Sequence, residues 1–286
     1  DIMAWASRSK QTVTATNATN VLNATGHGLS NGDRVMVYKS SFDAVPMVRF
    51  NLSNSVTSTD AVLGQVDGKS FLISFIVDMK GSDGAGHFFM ETTNSRLQVY
   101  RRSNNSLRLF ARNTSGTTIL DVQTTSTLVT AGGIYKVIIN MDFASQTFQI
   151  YINDTLQSIT TTTAMVNDTV DFTNTAVKIG TSVNAEMGRF YLAQENLDLS
   201  IESNRRKFFD GSNNPADIGV NGSIPTGTQP LILLNNPTAT FQNNLGSGGN
   251  FTEVGTLIDG TDIAGNTLPR GLDKETIYYV VNKTTN

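Results

Sequence analysis

Between residues 71 and 192 apolar side chains recur at every second position, and that period confines the chain to strands. Phe71, Ile73, Phe75, Val77 and Met79 share one strand face, while Ser74 and Asp78 point the other way. Leu97 and Val99, followed by Leu107, Leu109 and Ala111, predict a hairpin turning at Ser103-Asn104-Asn105. Tyr135, Val137, Ile139, Met141 and Phe143 predict a second arm that returns through Phe148, Ile150 and Ile152 after a turn at Ala144-Ser145-Gln146, and Val177, Ile179, Phe190 and Leu192 continue the pattern. Many short strands separated by Gly, Asn and Ser turns close as a sandwich or barrel. Only residues 200–209 read as helical, with Ser200 as N-cap and Gly211 just past the end. Residues 213–228 are rich in Asn, Gly and Pro but lead straight into apolar 231–234, so they predict an ordered loop before a buried strand.

With 286 residues the chain is long enough for one large or two ordinary domains, and two are expected. There is no cysteine, which excludes a disulfide framework, thiolate metal sites and cysteine nucleophiles, so stability must come from packing. A formal net charge of -3 argues against nucleic-acid or anionic-membrane binding through a general basic field. No apolar run is long enough to span a bilayer, and the opening residues lack a signal-peptide layout; a chain that starts at Asp1 implies processing or a preceding stretch. Sequons such as Asn113-Thr114-Ser115 arise by chance in so Asn- and Thr-rich a sequence.

Two separated segments resemble the halves of one small module. Residues 24–35 read ATGHGLSNGDRV, while LPRGL at 268–272 and IYYVVN at 277–282 stand near the other end. Together they are similar to a repeat of bacteriophage virion proteins in which GHGLSNGDRV is followed after a short loop by LPxGL and YYVVN. The resemblance implies a discontinuous β base, residues 1–40 plus 258–286, with a domain at 41–257 replacing the short loop. Modules of this kind run on into a further strand after YYVVN, which implies closure by another segment or by a neighbouring subunit.

Gly133-Ile134-Tyr135-Lys136-Val137, Phe148 to Asn153, Val177-Lys178-Ile179-Gly180 and Gly188-Arg189-Phe190-Tyr191-Leu192 resemble, in that order, strands of the concanavalin A-like (laminin G-like) jelly roll. Residues 206–210, 216–219, 222–227 and 248–252 resemble a tail of phage and prophage members of that group. The fold class expected is therefore all-β: an antiparallel concanavalin A-like sandwich inserted into a small discontinuous β domain.

The residues offer little catalytic chemistry. Glycoside hydrolysis needs two carboxylates flanking the scissile bond, and the E-x-D-x-x-E strand pattern of the glucanase branch is missing; Glu91 and Asp142 read as solvated strand-edge residues. His27 sits in the Gly26-His27-Gly28 turn, where it reads as structural, and His87 follows a glycine-rich loop, where it reads as an exposed rim residue. Two separated histidines without cysteine make no zinc site. Asp210, Asn213 and Asp217, or Asp259 and Asp262, supply oxygens that calcium would accept, but without the spacing of a calcium loop they read as turn formers, and no cofactor is expected. Gly246-Ser247-Gly248-Gly249 is a turn rather than a phosphate cradle. Arg101, Arg102, Arg108 and Arg112 cluster with Tyr100 and Phe110 nearby. With His87, Tyr100 and those four arginines are the candidate contacts for an anionic glycan or a partner's acidic face, against the plainer reading of a solvated strand face. Arg205-Arg206-Lys207 fits a helix C-terminus.

The function expected is that of a non-enzymatic phage virion protein, a tail fibre, baseplate or capsid decoration. Its base docks on other virion proteins, and its lectin-like sandwich is displayed on the particle surface for host glycan. A homo-oligomer, commonly a trimer in fibres and spikes, belongs to that expectation. The alternatives are a glycan depolymerase on the same fold and a bacterial surface adhesin module.

Overall fold

The computed structural model describes residues 44–263 except residue 174, together with the backbone of four short strands nearer the termini. Contacts divide the chain into two units, one made of Asp1–Phe42 and Thr267–Asn286, the other of Asp43–Asn266. In the first, β1 (Thr14–Thr16) pairs antiparallel with β2 (Val21–Asn23), and β3 (Arg34–Met36) pairs antiparallel with Ile277–Tyr279. Val35 stands opposite Tyr278, so the GHGLSNGDRV and YYVVN segments meet in one ladder. His27 and the LPRGL segment lie outside the described residues.

The second unit is a two-sheet sandwich. Its strands begin with β4 (Val48–Asn51), β5 (Ser55–Ser58), β6 (Ser70–Met79), β7 (His87–Thr92) and β8 (Leu97–Arg101). They continue through β9 (Ser106–Arg112), β10 (Thr118–Thr127), β11 (Ile134–Asp142), β12 (Thr147–Ile152) and β13 (Thr155–Leu156). The remainder are β14 (Ile159–Thr163), β15 (Val177–Thr181), β16 (Asn184–Ala193), β17 (Ile232–Leu234), β18 (Thr252–Val254) and β19 (Ile258–Asp259). Sheet I runs β14-β10-β9-β8-β7-β15-β5-β18 and sheet II runs β13-β12-β11-β6-β16-β4-β19, with β17 also paired to β16; all pairings are antiparallel.

Period two fixes the register, because a slip by one residue would turn every core side chain outward. Val122, Leu109, Val99, Met90, Ile179 and Val56 stand side by side across sheet I, and all face the core. Ile150, Ile139, Ile73, Leu192 and Ile232 do the same across sheet II. Phe75 sits between them, 5.2 Å from the Phe89 ring and 5.9 Å from that of Phe190. Gly180 is required here: its φ is +83°, and a Cβ would lie 2.3 Å from the Phe50 ring.

Sheet II is buried on both faces. On its outer side Leu72, Ile76, Ile138, Tyr151 and Tyr191 are buried, although they belong to no part of the core between the sheets. The segment 194–230 covers them by turning Leu199, Phe208, Phe209 and Ile218 inward. Phe208 meets the Tyr191 ring edge-on at 5.2 Å. Arg189 enters the same layer, 1% exposed, and donates from Nη1 to the carbonyls of Ala216 (2.7 Å) and Phe208 (3.5 Å). Burial lowers its pKa, opposed by the charge of Asp217.

Several expectations need correction. The helix expected at 200–209 shrinks to α2, Glu202–Arg205, preceded by α1 at Asp60–Leu63. Phe208 and Phe209 both turn down onto the sheet, which a continuing helix would not allow, and Asp198 rather than Ser200 closes the turn by accepting from the Ser200 N–H. The sandwich continues past residue 257. β4 needs an edge partner, and β19 supplies it; Ile263 then bridges Val45, so 258–263 belong with the sandwich rather than the base. Asp142 is no solvated edge residue. It is 9% exposed and accepts from the Ala144 N–H, the Ser145 hydroxyl and Asn196, closing the β11–β12 turn. Glu91 lies inside sheet I, between β8 and β15, not at an edge. Asp210 accepts from the N–H groups of Ser212 and Asn214, and Asp217 from that of Gly219, as turn formers do. Gly248 and Gly249 press against the backbone of Leu63 and Val62, where a Cβ would come within 2.7 and 2.3 Å.

Candidate ligand-binding face

The outer face of sheet I differs in kind from that of sheet II. Among the described residues no second apolar layer lies on it, and its only buried apolar side chain is Phe110. Two outward rows cross the sheet. One holds Gln123, Arg108, Tyr100, Phe88 and Thr181; the other holds Asp121, Phe110, Gln98, Glu91 and Lys178. Antiparallel pairing brings side chains from five strands, β10, β9, β8, β7 and β15, onto one surface.

The side chains largely organise one another. Asp121 receives Arg108 through both Nε and Nη2, at 2.5 Å each, and Arg108 Nη1 donates to the Tyr100 hydroxyl. That carboxylate contact raises the Arg108 pKa above its ordinary value. The Arg108 and Arg112 guanidiniums lie over the Phe110 ring, 4.6 and 4.9 Å from its centroid, which accounts for its burial without any covering segment. Phe88 and Tyr100 form an adjacent ring pair with centroids 4.9 Å apart. Arg102, two residues beyond Tyr100 on the same face, donates to Gln123 Oε1 at 2.8 Å.

Of the six residues expected from sequence, four come together here: Tyr100, Arg102, Arg108 and Arg112. His87 and Arg101 do not. They pair with each other and with Leu107 in the next row, one residue out of phase, which faces inward at the end of the sandwich. Both are fully buried. Arg101 donates to Asp83 Oδ1 (2.9 Å), the Leu128 carbonyl (2.9 Å) and the Ser82 carbonyl (2.5 Å), so it ties the 82–83 loop to the end of β10. His87 is therefore no exposed rim residue. Its Nδ1 faces the Ser182 carbonyl at 2.5 Å and its Nε2 the Ser82 carbonyl at 3.3 Å. Burial, and secondarily the charge of Arg101, hold its pKa below the ordinary histidine value.

Phe88, Gln98, Asp121 and Gln123 were not singled out from sequence. Phe88-Phe89-Met90 reads as a core run, yet a register shift between Phe88 and Met90 sends Phe89 and Met90 inward and leaves Phe88 outside. Strict alternation would already have placed Asp121 and Gln123 beside Arg108 once the β9–β10 pairing was known.

Elsewhere the sandwich offers less. Clefts of about 340 and 280 Å³ open beside Met47, and Asp262, common to both, already accepts from the Met47 N–H. Neither cleft has an aromatic lining residue. Among the described residues no three acidic or histidine side chains converge to hold a metal, and no helix is long and apolar enough to cross a membrane.

No protein-family model and no curated protein matches the chain. Solved structures do. A putative carbohydrate binding protein from Bacteroides ovatus ATCC 8483 is 13% identical with a TM-score of 0.52, over 79% of this chain and 63% of that one. This chain thus spans less than two thirds of that structure. The binding domain of botulinum neurotoxin DC in complex with SialylT aligns over 66% of this chain and 48% of its own at 17% identity and a TM-score of 0.40. The LG1-3 region of the laminin alpha2 chain aligns over 55% and 33% at 10% identity and a TM-score of 0.40. At these identities the likeness is one of fold: the second unit is an all-β sandwich of the concanavalin A-like (laminin G-like) kind.

Proposed function

We propose that this chain is a non-enzymatic bacteriophage virion component whose sandwich binds host-surface carbohydrate through the outer face of sheet I. The observation that carries the binding reading is the asymmetry of the sandwich. One sheet is sealed by an apolar cap, while the other keeps outward a paired Phe88–Tyr100 platform amid Gln98, Gln123 and arginines. Flat aromatic rings flanked by planar hydrogen-bonding groups suit sugars, whose rings present C–H faces and hydroxyl edges. The fold likeness to a putative carbohydrate binding protein agrees with this reading.

Binding without cleavage is favoured by the placement of the acids. Asp121 and Glu91 share one outward row but stand three strands apart, about 14 Å, whereas the two carboxylates of a glycosidase lie roughly 5–9.5 Å apart. Asp121 is also held bidentately by Arg108. The virion setting is supported by the resemblance of the terminal segments to a phage module and by the ladder that joins Val35 to Tyr278. In this reading the first unit docks on other virion proteins and assembles as a homo-oligomer, on a tail fibre, baseplate or capsid.

Two experiments test it. Full-length protein on a glycan array should bind carbohydrate, and Tyr100→Ala should abolish the signal without lowering the melting temperature by more than a few degrees. Immunogold labelling of the phage particles should decorate their surface. Retained binding in Tyr100→Ala would remove the face from the proposal, and unlabelled particles would remove the virion role.

A further inference from the structure

The arginines of the open face are not equivalent, and the difference specifies the ligand. Arg108 is neutralised by Asp121, and Arg96, at the top of the same face, by Asp171 at 3.0 Å. Lys178, on β15 and outside the β8–β9 strip, stands opposite Glu91 and makes no ion pair with it. Arg102 and Arg112 differ: among the described residues neither has a carboxylate partner. Arg102 meets only the neutral Gln123 amide, and Arg112 lies over Phe110 with an Nε–H that has no acceptor. These two uncommitted guanidiniums mark opposite ends of the aromatic band. Arg112 stands opposite Arg96, and Arg96 precedes Arg102 by six residues along β8, so the two backbone positions are about 20 Å apart, with the Arg112 side chain leaning over Phe110 and that of Arg102 toward Gln123. Tyr100, Phe88 and Phe110 lie between them.

Resting on the glycan reading above, we infer that the ligand is an extended acidic glycan, with carboxylate or sulfate groups on more than one sugar, lying along β8 and β9. Its rings cover the Phe88–Tyr100 pair, and its anionic groups meet Arg102 at one end and Arg112 at the other. A guanidinium presents a planar fork that matches either anion in two parallel hydrogen bonds. A single sugar does not reach both charges, so recognition belongs to an oligosaccharide or polymer. The overall negative charge of the chain disfavours a non-specific polyanion such as nucleic acid.

The test is calorimetry on full-length protein with size ladders of linear uronate, sialate and sulfated oligosaccharides, neutral ladders of matching length, and oligothymidylate. The expected result is binding of acidic ladders over neutral ones, with affinity rising until the oligomer spans the two arginines. Arg102→Gln and Arg112→Gln should each weaken it about tenfold and flatten its salt dependence. The uronate, sialate and sulfate arms identify the anion. Equal binding of neutral and acidic ladders, still lost in Tyr100→Ala, overturns the acidic specificity and leaves the glycan reading standing. Binding of none of the ladders overturns both. Oligothymidylate bound as tightly, with the same sensitivity to Arg102 and Arg112, overturns the glycan in favour of nucleic acid.

Discussion

Substituting the same residue type on the outward faces of the two sheets measures how differently those faces are built. Phe208 reaches the outer face of sheet II from the cap with no exposed surface, its ring edge-on to Tyr191 at 5.2 Å and 82°. Phe88 stands on the outer face of sheet I, only part-buried, with Tyr100 as its ring neighbour. Deleting a fully buried phenylalanine costs about 3–5 kcal/mol, of which the ring pair accounts for roughly 0.5–1.5 kcal/mol. Phe88→Ala leaves no enclosed cavity, so its loss is the transfer of part of one ring, about 1 kcal/mol. In a unit of this size 1 kcal/mol moves the melting temperature by about 2–4 °C. Phe208→Ala should therefore lower it by roughly 6–20 °C, against about 2–4 °C for Phe88→Ala. Urea midpoints at constant m-value report the free energies, and amide exchange over residues 199–218 reports whether the cap loosens first. Equal losses in the two variants, or a Phe208→Ala variant as stable as the parent, would refute a sealed face opposite an open one.

Three further outcomes follow from the buried groups. Burial depresses the His87 pKa, so the unfolded chain binds the proton more readily; stability should hold above about pH 6.5 and decline as pH falls below it. His87→Gln should flatten that decline when urea midpoints at neutral and mildly acid pH are compared. Gly180→Ala drives a Cβ into Phe50 at a backbone conformation alanine disfavours and should cost about 2–4 kcal/mol, read as a shifted midpoint with unchanged glycan binding. Arg189→Met strands the Ala216 and Phe208 carbonyls and should cost about 1–3 kcal/mol, with exchange protection lost in the cap before the sheets.

Strands and core were legible because period-two alternation reports burial directly. Phe71, Ile73, Phe75, Val77 and Met79 all lie in the core, and both expected hairpin turns occur, with Asn105 and Gln146 in the left-handed region. The cap was less legible, though a signal existed. Leu72 and Ile76 interleave with the inward residues of β6, and a strand apolar on both faces must be covered twice. Reading residues 200–209 as a helix hid what covers it, since Phe208 and Phe209 contribute by leaving the helix. Within the site, the arginine and tyrosine cluster was visible as composition, but its division was not. Whether Arg101 points in and Arg102 out depends on the register of β8 against β7 and β9, and no local propensity fixes that.

That division is also where the chemistry of the site resides. Four arginines within twelve residues look like one basic patch in sequence, yet they perform three tasks. Arg101, fully buried, ties loops together through carbonyls and Asp83. Arg108, committed to Asp121 and Tyr100, fixes the tilt of the aromatic platform, so its removal should disorder the Tyr100 ring before it removes any attraction for an anion. Arg102 and Arg112 alone retain charge that solvent or a ligand can answer. A face that neutralised all its cations would hold sugars by stacking alone, and stacking tolerates many ring faces. A face that freed all of them would attract any polyanion. Two free charges on side chains rooted about 20 Å apart along the strands, around a rigid aromatic centre, impose a spacing, and a spacing is what distinguishes one repeating polymer from another.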